Sequence, residues 1–119
     1  MSSSPARRSR IEVEEIEDVT VVKFVEKMVL DDAFPVSANL FHLVDDLGRR
    51  KLLLNLSNVE FWSSSMLGKL IALHRKLQAA QGVLVLCNVN EDILEVFKTT
   101  KVDKIFTVVP DQQSGLRSF

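Results

Sequence analysis

The sequence predicts an α/β domain built on a mixed, mostly parallel sheet of four to five strands with helices packed on it. Three observations carry that prediction. Two continuous apolar runs, "LLLNLS" (Leu52 to Ser57) and "VLVLCNV" (Val83 to Val89), read as strands buried on both faces. The segments around them carry the 3.6-residue period of amphipathic helices. Strand-like and helix-like patterns then alternate in the order β-β-α-β-α-β-α-β, which calls for right-handed crossovers onto a shared sheet.

Each element can be justified in turn. "MSSSPARRSR", residues 1–10, has no apolar centre and reads as a flexible basic tail rather than a signal peptide. Residues 11–110 are expected to form the domain, and 111–119 a short polar tail or partial helix. Ile11, Val13 and Ile16 mark a first strand, and Val19, Val21 and Val22 to Val25 a firmer second one, with a tight turn at Glu17-Asp18. Asp31 and Asp32 precede Pro35 in a cap-and-first-turn pattern. Val36, Leu40, Leu43, Val44 and Leu47 follow at helical spacing for about three to four turns, and Gly48 stands where a left-handed stop belongs. After the "LLLNLS" strand a helix runs from Ser64 to about Ala80, with Leu67, Leu70, Ile71, His74 and Leu77 on one face and Gln81-Gly82 as its stop. Asn90 caps a short third helix with Glu91 and Asp92 in its first turn and Ile93, Val96 and Phe97 on its apolar side. "KIFTVV", Lys104 to Val109, closes as a strand.

Composition narrows the function classes. Formal net charge is −1 over 119 residues, and Arg7, Arg8 and Arg10 supply +3 of it, so residues 11–119 carry −4. An acidic body argues against direct nucleic-acid binding. No apolar run approaches the roughly 18 residues that span a bilayer, and the single Cys87 fits a reducing, cytoplasmic setting. The chain lacks a GxxxxGK[ST] loop, a GxGxxG turn and a GxSxG elbow. His42 and His74, 32 residues apart without clustered carboxylates, do not suggest a metal site, and no cofactor or catalytic residue is expected. His74 is expected to be a hydrogen-bonded or partly exposed helix residue, and Cys87 a small buried hydrophobe. Trp62 has two readings, a partner-binding anchor or core packing.

"FWSSSMLG", residues 61–68, is the stretch that invites chemistry. It lies where a parallel strand passes into a helix, the usual functional end of such sheets. One of the serines can cap the helix. A phosphate on a second would lie among free N–H donors at the positive end of the helix dipole.

Residues 51–111 resemble the STAS domain family, especially bacterial anti-sigma-factor antagonists. The shared features are an apolar strand ending in Asn55, the aromatic Phe61, "SSSMLG" (Ser63 to Gly68) in place of the family's "DSSGLG", a strand opened by Gly82, "ILEVF" (Ile93 to Phe97) and "KIFTV" (Lys104 to Val108). The resemblance implies a regulatory protein-interaction module, not an enzyme. Its partner would be an anti-sigma factor that is also a serine kinase, with a serine phosphatase resetting the switch. It further implies Ser64 as phosphoacceptor, with Ser63 or Ser65 as fallbacks, and a docking surface of Asn58, Phe61, Trp62, Ser63, Ser65, Met66 and Lys69. Two positions depart from the family pattern: Ser63 stands where the loop Asp is expected, and Met66 where a Gly is expected. Alternative readings with the same fold are a STAS scaffold or signalling protein that is not phosphorylated, and a sensor of a small ligand such as a nucleotide or lipid.

Overall fold

A computed structural model describes residues 11–29 and 36–119. The turn at Glu17, whose φ is 58°, folds β1 (Ile11–Ile16) back on β2 (Val19–Phe24) as an antiparallel pair, with Ile11 opposite Phe24 and Ile16 opposite Val19. Two-residue strands β3 (Met28–Val29) and β5 (Phe61–Trp62) form a small parallel pair of their own. Three longer strands join the main sheet in parallel: β4 (Lys51–Asn55) beside β2, β6 (Val83–Cys87) beside β4, and β7 (Thr107–Val109) beside β6. The five-stranded order is β1-β2-β4-β6-β7. This is the mixed, mostly parallel sheet that the alternating pattern predicts.

Side-chain alternation along the central strands fills both faces. Leu52 and Leu54 belong to the larger core, packed with α1 (Val36–Asp45), α2 (Ser64–Ala79) and α3 (Glu91–Thr99). Leu53, Val85 and Cys87 point the other way, where Leu116 and Phe119 pack on them around a short α4 (Gln112–Leu116). Leu52, Leu53 and Leu54 are all fully buried. Truncating one to alanine is worth about 2–5 kcal/mol.

Several boundaries differ from the sequence reading, each for a local reason. The residues assigned to the start of the first helix, Asp31, Asp32 and Pro35, lie outside the described residues. Gly48 does take the left-handed conformation (φ 69°), but α1 ends earlier, and Leu47 is left exposed beyond it. Val83 is exposed at the start of β6, so burial on both faces begins one residue later. Ile71 and His74 are only partly buried on α2, and Leu73, with Met66, fills the core instead. The last strand begins at Thr107, because Lys101 (φ 66°) leads into a 3-10 turn at Val102–Lys104 that delivers Phe106 to the core. No periodicity announces the short β3–β5 pair. No helix among the described residues is long and apolar enough to cross a membrane.

Candidate functional site

The site is the connection from β4 to α2, and three asparagines hold it. Asn55 ends β4, with its Oδ1 accepting from the Ser57 N–H (2.9 Å) and its Nδ2 donating to Gln112 Oε1 (2.8 Å). Asn58 Nδ2 donates to the Phe24 carbonyl at 3.3 Å. Asn90 caps α3 by accepting from Ile93 N–H (2.8 Å), while its Nδ2 donates back to the Val59 carbonyl (3.0 Å). Backbone bonds add to these. Leu56 N–H donates to Cys87 O, Glu60 and Phe61 N–H to Lys27 O, and Ser63 N–H to Val29 O. A connection of this length would otherwise leave its polar backbone groups unpaired; here both flanks of the sheet supply the partners, so the approach to α2 is fixed.

At the helix start the serines divide the work. Ser63 is extended (φ −70°, ψ 156°), and its Oγ accepts from the Met66 N–H at 3.0 Å. It is therefore the N-cap, satisfying one of the helix's orphan donors. Ser64 and Ser65 follow in the first turn, exposed, with side chains that have no hydrogen-bond partner among the described residues.

The residues expected at a docking surface separate into two layers. Phe61, Asn58, Ser64, Ser65 and Lys69 are exposed, and Ser63 is half-buried. Trp62 and Met66 lie beneath them: the Trp62 ring packs edge-on against Phe24 with centroids 5.3 Å apart, and Met66 is fully buried. These two can support the surface but have almost no area to offer a partner. Met66 fills the core under the helix start. The Trp62 Nε1 is buried with no hydrogen-bond partner among the described residues.

Features that the sequence did not single out also converge here. Met28 pairs with Phe61 across the β3–β5 ladder, and both are about half exposed. An apolar groove runs between Phe61 and Trp62 on one side and Ile93 and Val96 of α3 on the other, with Glu60 and Asp92 also among its lining residues. Only the topology brings residues 28, 61 and 96 to one place, so a linear pattern holds no signal for it.

Elsewhere the titratable groups have structural settings. Burial, with the nearby Asp111 charge second, pushes the Cys87 thiol up to about 11, so it is protonated and unreactive at neutral pH. His74 stacks edge-on against Phe106 (5.7 Å), and burial, then Arg75, holds its imidazole below the usual histidine value. The described residues contain no group of three or more His, Cys, Asp or Glu side chains arranged to hold a metal ion.

Comparison with known proteins agrees with this fold. The STAS domain model matches residues 10–115. Over 74 residues the chain is 30% identical to the protein named "Putative anti-sigma factor antagonist BtrV" of Bordetella bronchiseptica. That match covers 62% of this chain and 64% of the relative's length. The solved structure of an anti-sigma-factor antagonist (STAS) domain protein from Planctomyces limnophilus superposes with a TM-score of 0.78 at 25% identity. It covers 91% of this chain and 95% of that one. The Bacillus cell fate determinant SpoIIAA in its phosphorylated form shares the fold, with a TM-score of 0.67 at 18% identity, over 92% of this chain and 99% of that one.

Proposed function

Since the chain belongs to the STAS domain family and has the fold of its anti-sigma-factor antagonists, we propose that it binds an anti-sigma factor that is also a serine kinase and is switched by phosphorylation of Ser64. The observation that carries this reading is the division of labour among the serines. Ser63 is committed to the cap, and Ser64 presents an unengaged hydroxyl at the start of α2, on the exposed end of the sheet.

The mechanism is electrostatic. An unmodified Ser64 offers a neutral hydroxyl that a partner can accept at low desolvation cost. Phosphate adds about −1.5 to −2 charges at neutral pH. Within the free protein the α2 dipole and its N–H groups stabilise that charge. Against a partner shaped for a hydroxyl, the phosphate must be desolvated. Loss of one such contact is worth about 1–3 kcal/mol. A phosphatase would restore binding. Ser63 occupies the position of the family's loop Asp, so no carboxylate from that position helps to orient the acceptor, and the cap is made by a hydroxyl instead.

The test is phosphosite mapping by mass spectrometry after incubation with the cognate kinase and ATP. The expected product carries phosphate on Ser64. Absence of phosphate from residues 63–65 would remove the switch and leave a STAS module that binds its partner constitutively.

A further inference from the structure

The smaller core, on the α4 face of the sheet, ends at a buried polar contact that reaches the connection to Ser64. Asn55, the last residue of β4, is 8% exposed and stands beside Cys87 of β6. Strand alternation puts its side chain on the same face as Leu53. There it meets Gln112, the first residue of α4, with Nδ2 donating to Oε1 at 2.8 Å. The other end of the amide, Oδ1, accepts from the Ser57 N–H at 2.9 Å. A backbone N–H can only donate, so that bond fixes which end of the Asn55 amide is the oxygen. Nδ2 is then committed to Gln112, which must turn its own oxygen toward it.

Both sides of the contact are anchored. α4 begins at Asp111, whose Oδ1 accepts from the Ser114 N–H at 2.8 Å. Leu116 packs into the smaller core, and a Cβ on Gly115 would lie 2.5 Å from Leu53 Cδ1. Gln112 is thus held over the end of β4, on the sheet face opposite α2 and α3. On the other side, Ser57 lies between Leu56 and Val59, both buried, so the segment has little slack to absorb a shift. Without Gln112, Asn55 Nδ2 would be a buried donor with no acceptor. Turning the amide to find another partner would take Oδ1 off the Ser57 N–H.

We propose that Gln112 is a positioning residue for the acceptor loop: through the Asn55 amide it fixes the course of the chain from β4 to Ser64. The proposal rests on the reading of Ser64 as phosphoacceptor. It gives α4 a hold on that serine from across the sheet, away from Phe61, Lys69 and the rest of the docking surface.

Hydrogen exchange of the full chain, followed by NMR, tests the positioning without any partner. Gln112→Leu should speed exchange of the Ser57 amide about tenfold relative to the Leu54 amide, as loss of one hydrogen bond implies. Gln112→Glu keeps an acceptor for Asn55 Nδ2 and should match the parent. Leu116→Ala loosens α4 but spares the contact, so it should speed Ser57 and Leu54 together. Incubation with the cognate serine kinase and ATP reads the consequence. Gln112→Leu should lower kcat at Ser64 about tenfold, within the roughly 100-fold that about 1 Å of misplacement can cost, and leave KM unchanged. Mere destabilisation would instead deplete the folded substrate and raise the apparent KM. An unchanged ratio of Ser57 to Leu54 exchange in Gln112→Leu would overturn the proposal. So would a Gln112→Glu variant that behaves like Gln112→Leu, or a raised KM with kcat unchanged. If the parent takes no phosphate on Ser64, the acceptor reading fails, and the exchange comparison alone decides whether Gln112 positions the loop.

Discussion

Replacing the loop serines one at a time should separate the structural hydroxyl from the regulatory one. Ser63→Ala removes the Oγ that accepts from Met66 N–H at 3.0 Å and leaves that donor to water. Loss of an N-cap costs about 0.5–2 kcal/mol, typically about 1. For a chain of 119 residues, that corresponds to a melting temperature lower by about 4 °C. Ser64→Ala removes an exposed hydroxyl with no hydrogen-bond partner among the described residues and inserts a better helix former, so stability should stay within about 0.5 kcal/mol of the parent. Ser63→Asp keeps an acceptor at the cap and adds a negative charge at the dipole's positive end, for a gain of a few tenths of a kcal/mol. Urea denaturation at constant m-value should rank Ser63→Asp as most stable, the parent and Ser64→Ala together below it, and Ser63→Ala last. If Ser64→Ala costs as much as Ser63→Ala, both hydroxyls are structural, and the assignment of Ser64 as the free one fails.

Three further outcomes follow from other parts of the molecule. A Cβ on Gly115 would lie 2.5 Å from Leu53 Cδ1, so Gly115→Ala should lower stability by about 1–3 kcal/mol even though alanine favours helix; an unchanged urea midpoint would show that α4 does not press on the sheet. Burial, then Arg75, holds the His74 imidazole below its ordinary value of 6.5, so its contribution to stability is complete above that value and is lost as pH falls below it. The His74→Leu variant should therefore lose less stability than the parent between about pH 6.5 and 5, and parallel pH profiles would refute this. Phosphosite mapping after kinase treatment should find Ser64 and spare Ser63, because a phosphate on the latter would break the cap.

Long, strongly patterned segments were legible in the sequence. The apolar runs of β4 and β6, the 16-residue α2 and the Asn90 cap all lie where the residues predict. Their signal is local, since each depends on neighbours within a few positions. What could not be read depends on contacts between distant residues. Trp62 had two readings, and the choice between them is made by Phe24, 38 positions earlier in the chain. The β3–β5 pair is too short to show a period and exists because Lys27 and Val29 carbonyls are in reach of the loop. Leu47 satisfies the helical spacing but falls after α1 has ended, where spacing alone carries no information about burial. In the site, the cap was legible as a serine at a helix start, while its assignment to Ser63 required backbone geometry. The groove beside Phe61 required the fold.

The central claim is that the hydroxyl of Ser64 controls docking. Isothermal titration calorimetry of the cognate anti-sigma factor against the unmodified chain, and against the chain phosphorylated at Ser64, tests it most directly. The predicted result is tight binding by the unmodified form and affinity about 5- to 150-fold lower for the phosphorylated one, the ratio that about 1–3 kcal/mol implies. Equal affinities would place Ser64 outside the interface and contradict the account.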